Sequence, residues 1–534
     1  MDPRLVPSLV LPLAFLTVSV CLRPSPASAQ DFNGDSIHDM VVGVPYEGVD
    51  DGGRGRTAAE AGAVDVVYGT PSNGVTPLSQ HWTLASEGIP GSPQTGDHFG
   101  FAVAWGLFNN DGYWDVAVGI PGRDVDGIED AGSVLIIYGS KEGLSASGPL
   151  MAAAPRLLRQ GAGDVPGIPL RGDNFGYALA SSYAWTSHLP QMSEYRSYLA
   201  IGAPGVTAGE AGGQGRGEVV VIYPFPGINQ LWQQIGNAAK PGDWFGFSLA
   251  SGNFGGRSKT PDASGDQGLA IGVPGEDVDG VVDAGAVEVL YQSGTQGLPH
   301  RLDAAGAQIH TQQGLGETPQ SRAMFGFSLA AGGLTGREYG EGRDELAIGE
   351  PFRDVGFGHA AGAVHVLRGD LAIGLDASSV RTITQGGWVQ GWPLPSTAED
   401  GDWFGFSLTI AQDDLLAIGS PGENNGDGSV HILHGGPNGV TSSGAQLMHA
   451  PAGLRQFGWS LSAWGWRLLV GAPRTNGSAG AVVGFRRTDA GAFETAGFPL
   501  TQDSVFGAAE PSESGDGFGF SVGAGGLPWI NFTP

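Results

Sequence analysis

The chain has 534 residues, 54 acidic and 26 basic side chains, a net charge of −28, 93 glycines and one cysteine. Such a charge repels nucleic acid and anionic lipid and attracts cations, and a single cysteine excludes a disulfide framework. The length allows three ordinary domains or one large repeat fold, and regular apolar runs at 41% hydrophobic content exclude disorder in favour of many short strands and tight turns.

Residues 1–29 read as a secretory signal peptide. Arg4 precedes an apolar run from Leu5 to Leu22, and Ala27-Ser28-Ala29 supplies the small residues of a cleavage site. Cleavage after Ala29 is expected, leaving a mature domain of residues 30–534 that is secreted or displayed at the cell surface. Lipoprotein anchoring through Cys21 is not expected, because Val20 is larger than a lipobox takes. No later segment has about 18 apolar residues in a row, so no membrane span is expected.

Asp31 to Pro45, DFNGDSIHDMVVGVP, is an acidic loop running into an apolar strand. Two half-motifs then recur seven times each. Phe-Gly openings lie at Phe99, Phe175, Phe245, Phe325, Phe404, Phe457 and Phe518. Apolar runs ending in Gly-x-Pro close at Pro45, Pro121, Pro204, Pro274, Pro351, Pro421 and Pro473. A third element often follows, as in AGAVDVVYG from Ala61, and a variable one such as QLWQQIG from Gln230 supplies a fourth. In DWFGFSLA, a strand would set Phe245, Phe247 and Leu249 on one face and Gly246, Ser248 and Ala250 on the other. Bulky and small faces of that kind suit stacked four-stranded sheets around an axis, a β-propeller; a linear array of β-sandwiches is the alternative. The ends decide between them. The first unit lacks a Phe-Gly strand and the last, Gly515–Gly525, lacks a Gly-x-Pro strand. The fold class predicted is therefore all-β, a seven-bladed β-propeller of four-stranded antiparallel blades, with the C-terminal Phe-Gly strand completing the N-terminal blade.

Phe-Gly plus Gly-Ala-Pro with an Asp-rich loop between them resembles the FG-GAP repeat of the integrin α-subunit propeller and of secreted bacterial proteins, over essentially all of residues 30–534. The bacterial type looks closest, and no integrin leg domains are present. Ca²⁺ takes six to eight oxygen ligands. Asp31, Asn33, Asp35 and Asp39, with the carbonyl of Ile37, match the calcium loop of that repeat. In the second blade Asn109, Asp111 and Asp115 match, with Leu107 in place of the first carboxylate. The resemblance thus implies Ca²⁺ as the cofactor; the competing reading is that these side chains only close Asx-turns.

A second acidic set follows the Gly-x-Pro strands: Asp124, Asp126 and Asp130, then Asp277, Asp279 and Asp283. The calcium loops join strands one and two of a blade and this set joins strands two and three, so the two sets lie at opposite ends of the fold. Solvated turns are the expectation for the second set. Asp97, Asp173, Asp243, Asp402 and Asp516, each two residues before a Phe, read as turn residues, and Arg171-Gly172-Asp173 as a chance tripeptide. No nucleophile elbow or paired acid and base stands out, and no enzyme activity is expected. The function expected is a monomeric, calcium-binding adhesion module for an extracellular protein or glycan. The alternative is an extracellular hydrolase or lyase acting on a polysaccharide or phosphoester.

Overall fold

The computed structural model describes residues 31–524 apart from residues 36, 51–56, 70–78, 110, 147–153, 186–194, 207–214, 224–228, 236–238, 256–266, 294–300, 336–342, 412–413, 465–466, 489–490, 496–498 and 507–511. The signal-peptide reading lies outside the described residues.

Seven four-stranded antiparallel sheets make the fold. Blade one pairs Ser521–Ala524 with Met40–Val44, followed by Ala63–Val67 and Ser79–Trp82. Its register sets Val42 opposite Val522 on one side and Asp65 on the other. The strand nearest the C-terminus therefore completes the first blade, as the complementary ends predict. The other six blades take their four strands consecutively: blade two runs Val103–Gly106, Asp115–Ile120, Ser133–Ile137 and Arg156–Leu158, and blade seven runs Ser460–Trp464, Arg467–Gly471, Val482–Arg487 and Phe493–Thr495. First strands touch first strands all the way round, so they line the axis. The second and third strands are buried on both faces between neighbouring blades, which is why they read as near-continuous apolar runs.

The Phe-Gly segment differs from the expected strand. In blade four the strand begins only at Leu249, and Trp244 and Gly246 are left-handed at φ 57° and 88°. The segment is a turn. The Phe245 N–H donates to the Arg216 carbonyl of blade three (3.0 Å), and the fully buried Phe245 ring enters the layer between blades three and four with Val219, Ile271 and Leu290. Phe247 leaves this layer and turns toward the axis. The turn wins over the strand because its own N–H satisfies a backbone carbonyl of the preceding blade while the ring is buried.

The two glycines of each repeat have one joint purpose. A Cβ on Gly272 would meet the Gly326 carbonyl oxygen at 2.2 Å, and one on Gly349 would meet that of Gly405 at 2.2 Å. The same contact recurs at Gly43, Gly119, Gly202, Gly419 and Gly471, each against the Phe-Gly glycine of the next blade. In five blades a serine hydroxyl adds a hydrogen bond to that carbonyl, as Ser328 does to Gly405 (2.6 Å).

Two stability measurements test this packing. Gly349→Ala should lower the unfolding free energy by about 1–3 kcal/mol, the usual cost of forcing a methyl group into a packed site, and Ser328→Ala by about 1 kcal/mol, the net worth of one hydrogen bond, both read from denaturant midpoints. Deleting residues 516–534 removes the closing strand and the buried Phe518. One such ring contributes about 1.5–3 kcal/mol against a typical domain stability of about 5–15 kcal/mol. The truncated chain should lose cooperative melting; a soluble truncation that melts like the full chain would refute closure by this strand.

Candidate functional site

At the end where strands one and two connect, the acidic loops of blades one and two fold alike. The Asp35 N–H donates to Asp31 Oδ1 and Asn33 Oδ1, both at 3.0 Å, and the Ile37 N–H to Asp35 Oδ1 at 2.8 Å. In blade two the Asp111 N–H donates to Asn109 Oδ1 (3.1 Å) and the Tyr113 N–H to Asp111 Oδ1 (2.9 Å). The last carboxylate of each loop lies beneath, fully buried. Asp39 accepts the N–H groups of Phe32 (2.8 Å) and Gly69 (3.1 Å); Asp115 accepts those of Phe108 (2.7 Å), Asn109 (3.2 Å) and Gly139 (3.0 Å). Burial pushes both carboxyls up to about 8 against the pull of these donors, and Asp31 and Asp35 push Asp39 further in the same direction. The loop of blade one also leans on blade two, where Ser140 N–H donates to the Phe32 carbonyl (3.1 Å). Asx-turns thus close at Asn33, Asp35, Asn109 and Asp111, while Asp39 and Asp115 anchor the loops from below. Among the described residues, no three His, Cys, Asp or Glu side chains stand in a metal-holding group. The donors are nonetheless all oxygen, and Asp31 and Asp35 act on Asp39 through their charge, a donor set that suits a hard divalent ion.

The opposite end carries the connections between strands two and three and between blades. Asp124 Oδ1 accepts the Asp130 N–H and Asp277 Oδ1 the Asp283 N–H, both at 3.1 Å, so these acids close their own loops as expected. The Asp of each Gly-Asp-x-Phe-Gly caps the residue three before it: Asp97 takes the Gln94 N–H (2.7 Å), Asp173 that of Leu170 (2.6 Å), Asp243 that of Lys240 (2.6 Å) and Asp402 that of Glu399 (2.8 Å). Asp516 makes the same bond to Glu513. Asp173 is fully buried, so Arg171-Gly172-Asp173 does not display its carboxylate. Burial raises Asp173 and Asp402 to about 7 and Asp243 and Asp516 to about 6. Asp97 differs in having a guanidinium beside it, Arg123 at 3.1 Å.

Two features of this end escape the sequence reading. One is a recurrent bond between a glutamine leaving the fourth strand of one blade and a buried glutamate of the next. It joins Gln160 to Glu218, Gln385 to Glu423, Gln502 to Glu47, Gln234 to Glu276 and Gln312 to Glu350. A glutamine repeating after five of the seven variable fourth elements was the available signal. In blade five the pair widens into a network. Glu350 also holds His365 Nε2 (2.7 Å) and Arg353 (3.1 Å), Arg353 holds Glu317 (2.9 Å), and Thr382 donates to Glu317. His365 and Glu350 are fully buried and Thr382 spends its proton on a carboxylate, so the network braces the blade and offers no free nucleophile.

The second is a closed ring of aromatics around the axis, one from each Phe-Gly turn. Phe101, Tyr177, Phe247, Phe327, Phe406, Trp459 and Phe520 follow one another at centroid separations of 4.8, 5.0, 5.0, 5.1, 4.6 and 5.7 Å, and Phe520 returns to Phe101 at 5.0 Å. All seven are half-buried. Tyr46, Trp244, Phe352 and Trp403 extend the surface outward. The spacing and tilt are those of favourable aromatic pairs.

Residues 23–74 match the FG-GAP repeat family. The chain is similar to rat phosphatidylinositol-glycan-specific phospholipase D, 28% identical over 231 residues, which is 42% of this chain and 24% of that protein. It is similar to human integrin alpha-7, 32% identical over 146 residues, which is 26% of this chain and 11% of that protein. The chain thus spans about a quarter or less of the length of these relatives. Among solved structures, a puromycin hydrolase aligns with 88% of this chain and 55% of its own at 13% identity and a TM-score of 0.34. The fold is an all-β, seven-bladed propeller, with an FG-GAP repeat matched at residues 23–74 and integrin α-subunits among the chain's relatives. No helix among the described residues is long and apolar enough to cross a membrane.

The raised aspartates give a pH prediction. An unfolded Asp titrates near 4, whereas Asp402 and Asp173 reach about 7 in the fold. The folded state therefore holds these protons more tightly. Their contribution is complete below about pH 4 and is lost as pH rises through about 7. Asp402→Asn keeps a carbonyl for the Glu399 N–H and cannot ionise. It should melt higher than the wild type near pH 8 and equally near pH 4; equal melting at both would refute the shift.

Proposed function

We propose that this propeller is a secreted, monomeric binding module that engages an extracellular protein or glycan with the face carrying its inter-blade connections, while Ca²⁺ is held at the opposite end. The observation that carries the reading is the ring of seven half-buried aromatics with its outer flank, a broad rigid surface of the composition found at recognition sites. Fold alone assigns no function; this surface supports the reading, because each blade contributes one aromatic to it through the same turn. The relatives named integrin agree with a binding role. A hydrolase acting on a phosphoester or polysaccharide is the second reading, favoured by the relatives named phospholipase D. A glycan and protein array, followed by activity assays on phosphoester and polysaccharide substrates, separates the two. Capture without turnover supports the module, and turnover supports the enzyme.

Asp31, Asn33, Asp35, the Ile37 carbonyl and Asp39 would hold the cation in blade one, and Asn109, Asp111 and Asp115 in blade two. The cation would neutralise the facing carboxylates and tie the loop preceding Met40 to blade two, beside the ring closure. A ligand that binds only the folded state stabilises by about 2.7 kcal/mol at a hundredfold excess over its Kd. Wild-type melting should rise with Ca²⁺ and fall with chelator, and Asp35→Ala should lose most of that response. A melting temperature indifferent to chelator would refute the calcium assignment.

A further inference from the structure

The connection between strands two and three is not the same length in every blade. In blades two and four it folds back on itself, closed by Asp124 and Asp277. It shrinks to a tight turn at Glu423–Gly426 in blade six and at Thr475–Ser478 in blade seven, where Asn476, Gly477 and Ser478 are left-handed. Beside this short turn a cleft of about 600 Å³ opens between blades seven and one. It meets the aromatic ring at its widest step, Trp459 to Phe520 at 5.7 Å. Tyr46 stands edge-on to Phe520 at 5.5 Å and continues the apolar floor. Arg474, Glu60 and Glu513 stand on the walls with Gln456 and Ser514.

We infer that this cleft is a glycan-binding site that takes amine-bearing sugars ahead of acidic ones. The inference rests on the binding-module reading of this face and assigns it a ligand class and a place. The volume is that of an ordinary small-molecule pocket. An aromatic floor stacks against the C–H face of a pyranose, while its hydroxyls both donate and accept. The walls offer both partners: carboxylates accept, and the Arg474 guanidinium and the Gln456 amide donate. The excess of carboxylate over guanidinium then orders the sugars, with an amine attracted and a uronate repelled. The position follows from the fold. The ring provides an aromatic floor at every blade, and at the junction of blades seven and one Tyr46 extends that floor beneath the cleft.

The test is isothermal titration of the full chain with four probes: a glucosamine tetramer, an N-acetylglucosamine tetramer, a galacturonate tetramer and tetralysine. The glucosamine tetramer should bind, the neutral tetramer more weakly, and the galacturonate tetramer not at all. Glu513→Gln should weaken the glucosamine tetramer by about tenfold, and Arg474→Ala should weaken both binding sugars by about tenfold. Both side chains are exposed, so the variants should melt like the wild type, which the same samples check. No sugar binding, binding of tetralysine alone, or sugar binding unchanged in both variants would overturn the inference. A protein ligand captured on the array and indifferent to both substitutions would sink this cleft and leave the module reading standing. An array that captures nothing would sink the module reading itself.

Discussion

The fold depends on one close approach, the carbonyl of a Phe-Gly glycine lying where the neighbouring blade's Gly-x-Pro glycine would carry its Cβ. Because the distance is 2.0–2.2 Å at all seven junctions, no other residue fits at the second position without moving a blade. The contact sets how near two sheets come and at what height. Once the height is fixed, the Phe ring of the same turn falls into the layer between blades, and the residue after the glycine falls on the axis. One dipeptide thus specifies blade spacing, core and ring together, and local turn chemistry agrees with global packing as a foldable sequence requires.

Electrostatics follows from the same geometry. Stacking sheets buries the residues that begin and end the second and third strands, and several of these are acids. Each buried acid has its donors: backbone N–H groups for Asp39, Asp115 and the aspartates before Phe-Gly, and a glutamine amide for Glu47, Glu218 and Glu423. Neutral donors satisfy the oxygens without cancelling charge, so burial still raises most of these carboxyls. Asp97 pairs with Arg123, yet burial remains its largest influence and it too is raised, to about 6. An acidic chain of this kind stores unpaired negative potential at both ends of the ring, which favours cations at the loops that gather carboxylates.

Much of this was legible in the sequence. Seven paired motifs and complementary ends specify blade number and closure, because a ring is the arrangement in which half-motifs at the two termini complete one another. The face assignment of the two acidic sets also held, since it needs only the alternation of an antiparallel meander. What failed was local. Phe245-Gly-Phe247 reads as alternation with period two, but a left-handed residue on each side of Phe245 breaks the strand and sends the two rings to different neighbours. Period alone does not reveal a turn that pays off only through another blade. For the same reason the aromatic ring was invisible: its members lie roughly 50–80 residues apart and meet only after closure. The glutamine-to-glutamate bonds were hidden in the variable fourth element, where the chain around each glutamine differs from blade to blade.

The last step concerns why a regular ring has an irregular place on it. The glycine approach that sets the spacing of the blades lies on the inner strands, so it constrains the motifs and leaves the connections between strands two and three free to vary in length. The connection is longer in blades two and four and short in blades six and seven. The cleft at the junction of blades seven and one coincides with the seam where the two ends of the described chain meet. There Tyr46, Trp459 and Phe520 come from segments far apart in sequence and are held together only by closure. The cleft proposed there would therefore depend on closure of the ring, since loosening the strand that completes blade one would carry Phe520 out of its floor.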